Sequence, residues 1–146
     1  MGKHTIALIA HDSKKEEMIS FVRNHVTGLV EFKLIATRGT GQLISARTGM
    51  PVELLQSGPR GGDQQIGAQV VDGKVKAVIF LTDPVMIQTH ESNIAAILRV
   101  CGIHNVPIAT NLATAEALLH YLLEHPAENV DYDWPDSVIS EITLAK

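Results

Sequence analysis

The sequence predicts an α/β fold in which helices cover both faces of a parallel β-sheet. Short apolar runs alternate along the chain with longer segments of helical periodicity, the pattern expected of such a sheet. The length of 146 residues suits one domain with a sizeable core. No repeat, linker or low-complexity segment divides the chain. We therefore expect one domain over residues 1–146.

Five strands and five helices are expected in alternation. The apolar runs place the strands at residues 5–10, 32–36, 52–55, 77–81 and 106–109. The segments with helical periodicity lie at about 14–26, 42–48, 64–72, 93–104 and 113–123. From Pro126 onward the composition changes, with three aspartates, Trp134 and Pro135 close together. This tail is expected to cap the domain, with closure over a neighbouring subunit as the alternative.

Composition argues for a small-molecule ligand. The formal net charge is −4, like charges do not run together, and only six residues are aromatic, which argues against a nucleic-acid surface. No apolar run exceeds five residues, so neither a membrane span nor a signal-peptide core is expected. The single cysteine, Cys101, cannot form an internal disulfide and is expected to be a buried free thiol. A cytoplasmic location is therefore predicted.

Polar residues follow four of the predicted strands, and the carboxyl ends of parallel strands are where an open sheet binds ligands. Glycines, hydroxyls and a lysine on three of these segments predict a phosphate cradle. Asp63, after a glycine pair, and His90 are then the titratable pair. The segments are His11-Asp12-Ser13-Lys14-Lys15, Thr37-Arg38-Gly39-Thr40-Gly41, the loop beginning at Ser57, and Thr82-Asp83-Pro84 followed by His90.

Each segment also has an ordinary structural interpretation. Asp63 is a good helix N-cap, and the two glycines before it are common in turns. Lys15 would be a solvated helix charge, and residues 37–41 would be a glycine-rich turn, since no Walker motif occurs. Asp83-Pro84 would be a turn pair. The histidines have no zinc-site spacing, and we predict no metal and no cofactor.

The residues resemble those of the methylglyoxal synthases over about four-fifths of the chain. The most specific block is SGPRGGDQQIG at residues 57–67, supported by IALIAHD at 6–12, IFLTDP at 79–84 and ATNLATA at 109–115. The resemblance implies a three-layer α/β/α domain, assembled as a homohexamer, that converts dihydroxyacetone phosphate to methylglyoxal and inorganic phosphate. Inorganic phosphate is expected to compete with the substrate, because the segments after the first three strands are predicted to hold the same dianion in both.

The resemblance assigns roles to residues of this chain. Asp63 matches the catalytic base, and the enediolate chemistry assigns proton transfer to His90. The substrate-binding positions are His11, Lys15, Thr37, Arg38, Gly39, Thr40, Ser57, Gly58 and His90, with Asp12, Asp83 and Asn93 as supporting residues.

This chain departs from the family pattern at three places. Residues 37–41 read Thr-Arg-Gly-Thr-Gly where the family usually has Thr-Gly-Thr-Thr-Gly, and Asn93 replaces a common carboxylate. The tail lacks an arginine often found near the end of such chains. The alternative function is a non-catalytic sensor of phosphate or a phosphometabolite on the same fold, as in the regulatory regions of carbamoyl phosphate synthetases. Asp63 and His90 favour the enzyme, because an anion-binding site has no use for an extra carboxylate.

Overall fold

The computed structural model describes residues 3–85 and 94–126. All five predicted strands are present, as β1 (Thr5–Ala10), β2 (Lys33–Ala36), β3 (Glu53–Leu54), β4 (Val75–Leu81) and β5 (Ile108–Ala109). The helices are α1 (Lys15–Asn24), α2 (Val26–Leu29), α3 (Arg38–Thr48), α4 (Gly62–Val71), α5 (Ile94–Ile103) and α6 (Leu112–Glu124). Single 3₁₀ turns cover Asp12–Lys14 and Gly58–Arg60.

The strands form one parallel sheet in the order β3-β2-β1-β4-β5. The chain adds β2 and β3 on one side of β1 and then returns to add β4 and β5 on the other side. β1 and β4 are therefore neighbours, and their carboxyl ends form the point at which the strand order reverses. Ligands of open parallel sheets bind at such a point.

Two hydrophobic clusters lie on opposite faces of the sheet, which confirms the three-layer α/β fold. On one face, Leu8 of β1 packs with residues of α1, α3 and α6, including Met18, Ile44 and Leu119. On the other face, alternate strand residues such as Phe80 pack with α4 and α5. Every residue of β1 is buried, because a central strand covered on both faces has no solvent side.

Several boundaries differ from those predicted. The first helix was expected over residues 14–26, but it ends at Asn24 and a separate turn, α2, follows His25. There the His25 amide bonds to the Val22 carbonyl in a 3₁₀ pattern, and the imidazole Nδ1 lies 2.8 Å from the Phe21 carbonyl oxygen. β5 begins two residues late because Pro107 has no N–H to donate to the sheet.

The glycine-rich segment after β2 is helical, contrary to the expected turn. α3 begins at Arg38 rather than at residue 42, and Thr37 is its N-cap in an extended conformation. The first helical hydrogen bond runs from the Gly41 amide to the Thr37 carbonyl at 2.8 Å. Gly41 packs closely against β3, because a Cβ there would lie 2.4 Å from Leu54 Cδ2 and the Leu54 side chain would have to move. α3 therefore presents its N-terminus at the carboxyl end of β2.

Candidate active site

A cavity of about 170 Å³ lies at the carboxyl ends of β1, β2 and β3. Three segments that follow these strands contribute its polar lining, as the sequence predicted. The lining residues are Ile9, Ala10, His11, Asp12, Lys15, Thr37, Gly39, Thr40, Ser57, Gly58 and Pro59. Ile9, Ala10 and Pro59 were not among the predicted site residues. Ile9 and Ala10 are the last two residues of β1. Their position at the carboxyl end of a predicted strand could have identified them from the sequence.

The N-terminus of α3 forms the middle of the cavity wall. Gly39 and Thr40 lie in the first turn of this helix, where backbone amides have no carbonyl acceptor within the helix. The hydroxyls of Thr37 and Thr40 are buried beside these amides, with their oxygens 3.5 Å apart. Amides and hydroxyls at the positive end of a helix dipole suit a phosphate group.

Lys15 brings a positive charge to the same wall. A Cβ added to Gly39 would lie 3.5 Å from Lys15 Cε and 3.9 Å from its Nζ, so the lysine side chain runs across the first turn of α3. Its ammonium is 3.4 Å from the Ala10 carbonyl oxygen and forms an ion pair with Asp12. The Lys15 side chain is only 20% exposed, in contrast to the solvated charge of the ordinary interpretation.

Ser57 and Gly58 form the third wall. Ser57 is extended, and its carbonyl accepts hydrogen bonds from the amides of Arg60 at 3.0 Å and Gly62 at 2.9 Å. The loop then turns at Gly61, whose φ of 95° lies in the region that favours glycine. This closed turn directs the chain from the cavity wall straight into α4.

Asp63 is not the N-cap of α4, so that structural interpretation is wrong. The cap is Gly61, the helix begins at Gly62, and Asp63 lies in the first turn without a side-chain capping bond. The N-cap therefore lies two residues before Asp63, at a glycine in the αL conformation. Asp63 is half-buried at the end of the loop that carries Ser57 and Gly58, and it is not one of the described residues lining the cavity.

His11 lines the cavity and is only 3% exposed. Its ring packs edge-on against Phe80, with the centroids 5.2 Å apart and the planes at 79°. The backbone amide of Asp83 donates a hydrogen bond of 2.9 Å to His11 Nδ1. Asp83 thus reaches the site through its backbone, which the sequence did not indicate.

The other predicted residues are less closely connected to the cavity. Arg38 is exposed, and its amide bonds to the Gln56 carbonyl oxygen at 3.4 Å. His90 and Asn93 lie outside the described residues. In residues 3–85 and 94–126, no group of three or more histidine, cysteine, aspartate or glutamate side chains is placed to hold a metal ion.

Cys101 lies away from the cavity in the core between the sheet and α5. Burial raises the pKa of its thiol to about 11, because the charged thiolate is poorly solvated there.

Within the described part of the chain, no helix is long and apolar enough to cross a membrane.

Comparisons with known proteins identify the family of the chain. The family model of the MGS-like domain matches residues 17–110. The methylglyoxal synthase of Moorella thermoacetica is 52% identical over 121 residues, which cover 83% of this chain and 94% of that protein. This chain belongs to the MGS-like domain family.

Further relatives support the family membership along most of the chain. A methylglyoxal synthase of Thermus thermophilus is 51% identical to this MGS-like chain over 117 residues, covering 80% of this chain and 93% of that protein. The crystal structure of the methylglyoxal synthase from Elizabethkingia anophelis superposes with a TM-score of 0.80 at 38% identity. The superposition covers 91% of this chain and 86% of the Elizabethkingia chain. Both the sequence and the sheet of this protein are therefore those of the family.

Proposed function

We propose that this protein is a methylglyoxal synthase, a carbon–oxygen lyase that converts dihydroxyacetone phosphate to methylglyoxal and inorganic phosphate. The observation that carries the proposal is the cavity at the carboxyl ends of β1, β2 and β3, lined by donors suited to a phosphate dianion. The sequence relatives named methylglyoxal synthase, about half identical to this chain, support the same reaction.

The phosphate of the substrate would bind at the N-terminus of α3. The amides of Gly39 and Thr40 and the hydroxyls of Thr37 and Thr40 would donate to its oxygens, with Ser57 and Gly58 on the opposite wall. Lys15 would add the positive charge, at a side chain already held across Gly39. The donors would come from three separate segments of the chain, which follow β1, β2 and β3. Arg38, the first residue of α3, would add a further positive charge.

Asp63 would remove the proton that begins the reaction. The proton comes from the carbon that bears the hydroxyl, and the resulting enediolate needs donors at its oxygens. His11 offers one donor from the cavity wall, and His90 is proposed as the group that moves a proton between the oxygens. Asp63 is proposed as the base because it lies in the first turn of α4, directly after the loop whose Ser57 and Gly58 line the cavity.

Loss of phosphate would complete the reaction. The electrons of the enediolate expel phosphate from the neighbouring carbon. The neutral enol that remains takes up a proton at its terminal carbon and loses its hydroxyl proton to give methylglyoxal. The helix amides and Lys15 stabilise the charge that grows on the departing phosphate. Asp12 would support this step by holding Lys15 in place through their ion pair.

The test is incubation of the purified protein with dihydroxyacetone phosphate, with detection of methylglyoxal. We expect methylglyoxal to form at a rate that depends on Asp63. A protein that binds inorganic phosphate but forms no methylglyoxal would instead be the sensor that the sequence left as an alternative. No observation on the described residues favours the sensor.

The assembly and the cellular location extend the proposal. The family resemblance implies a homohexamer, and the single cysteine fits a reducing cytoplasm. Inorganic phosphate is expected to inhibit competitively, because the segments after β1, β2 and β3 would hold the same dianion in substrate and product. Light scattering coupled to size-exclusion chromatography tests the first point, since a hexamer of 15.8 kDa chains is readily separated from smaller assemblies. Steady-state kinetics with added phosphate tests the inhibition.

A further inference from the structure

The turn after β4 is tied to the segment after β1 by a set of short hydrogen bonds. The Asp83 amide donates to His11 Nδ1 at 2.9 Å, and the His11 amide donates to the Leu81 carbonyl at 3.0 Å. The Ser13 hydroxyl donates to Asp83 Oδ2 at 2.5 Å, while the Val85 amide donates to Oδ1 at 2.9 Å. Both oxygens of the Asp83 carboxylate therefore have a donor.

The contact at Nδ1 determines which nitrogen of His11 carries the proton. A backbone amide can only donate, so the imidazole nitrogen that faces it accepts and carries no proton. The neutral ring must then carry its proton on Nε2. Because His11 is buried and packs edge-on against Phe80, the ring has little freedom to exchange its two nitrogens.

We propose that Ser13 and Asp83 are positioning residues that hold His11 as an Nε2–H donor. Ser13 fixes the Asp83 carboxylate, the carboxylate fixes the turn, and the turn holds the Asp83 amide against Nδ1. The donor serves the substrate or its phosphate in the cavity that His11 lines, so this inference rests on the proposed function. Ser13 itself is exposed and is not one of the described residues lining the cavity.

Nitrogen-15 NMR of the imidazole rings tests the proposal directly. In the wild-type protein, His11 should show a protonated Nε2 and an unprotonated Nδ1. In Ser13→Ala, the His11 signals should shift toward a mixture of the two tautomers. Ser13→Thr keeps the hydroxyl and should restore the wild-type signals. The matched control is Ser20→Ala, at an exposed serine of α1 that should leave His11 unchanged. A wild-type His11 protonated on Nδ1, or identical signals in wild type and Ser13→Ala, would overturn the proposal.

Kinetics give a second readout. Ser13→Ala should lower kcat/KM by roughly 2- to 10-fold, the range of one ordinary hydrogen bond, with Ser13→Thr close to wild type. An unchanged kcat/KM in Ser13→Ala would show that the contact does not position the donor for the reaction. The NMR result does not depend on turnover. An inactive wild-type protein with the expected tautomer would contradict the proposed function, whereas an active protein with the wrong tautomer would contradict only this inference.

Discussion

Gly62→Ala should damage the active site although it adds only one methyl group. An ideal Cβ at Gly62 would lie 1.9 Å from the Gln56 carbonyl oxygen, 2.8 Å from the carbonyl carbon and 3.0 Å from Thr37 Cγ2. The two backbone groups would have to separate by at least ~1 Å to reach an ordinary contact distance. No rotamer change can supply this movement, because the obstacle is backbone.

The required movement would displace parts of the phosphate cradle. The Gln56 carbonyl also accepts from the Arg38 amide, and the Gln56 amide donates to Gln65 Oε1 at 2.8 Å. Moving Gln56 therefore shifts both the N-terminus of α3 and the loop that leads to Asp63. A displacement of ~1 Å can cost about 10²-fold in rate, and overpacking costs ~1–3 kcal/mol of stability. At ~2–4 °C per kcal/mol, the Tm should fall by roughly 2–12 °C.

Gly67→Ala in the same helix is the matched control. A Cβ at Gly67 would have no neighbour within 4 Å, so alanine should stabilise α4 by ~0.5–1 kcal/mol and leave kcat unchanged. Thermal melting and methylglyoxal formation should be measured for both variants. Gly62→Ala with more than half of the wild-type kcat and an unaltered Tm would refute the reasoning.

The remaining predictions concern single side chains. Asp63→Asn should lower kcat by ~10²–10⁴ with little change in Tm, since Asp63 is not the helix cap; retention of a tenth of wild-type kcat would disprove the base. Lys15→Met should raise KM and the phosphate inhibition constant together, whereas unchanged values would make Lys15 a surface charge. Asn93→Asp should raise kcat and move the pH–rate profile; an identical profile would make Asn93 a helix cap. Cys101, with its raised thiol pKa of about 11, should not react with a thiol reagent at pH 8 before unfolding, and rapid labelling would contradict its burial.

The central strands β1 and β4 were predictable because each contains a five-residue apolar run that is buried on both faces of the sheet. β1 matches its predicted bounds, and the residues of β1 and β4 divide between the two hydrophobic clusters. Strand ends were less predictable, because buried apolar residues extend past the residues that pair in the sheet. Val106, for example, is buried but precedes β5. The interruption of the first helix at His25 depends on a backbone bond that periodicity does not reveal.

The location of the site followed from topology, whereas its details did not. The rule that ligands bind at the carboxyl ends of parallel strands placed Lys15, Thr40 and Ser57 together, and the cavity contains all three. The glycines after β2 suggested a turn, but Gly41 lies inside α3 and packs closely against Leu54. The contact between the Asp83 amide and His11 requires β1 and β4 to be neighbours. Such a backbone bond has no sequence signature.

The most direct test of the account is the stoichiometry of the reaction with dihydroxyacetone phosphate. Methylglyoxal, inorganic phosphate, dihydroxyacetone and glyceraldehyde 3-phosphate should be measured together from the start of one incubation. The account predicts that methylglyoxal and phosphate appear in equal amounts and that Asp63→Asn slows both to the same extent. Phosphate released with dihydroxyacetone would indicate a phosphatase, and glyceraldehyde 3-phosphate without free phosphate would indicate an isomerase. Either result would contradict the proposed elimination.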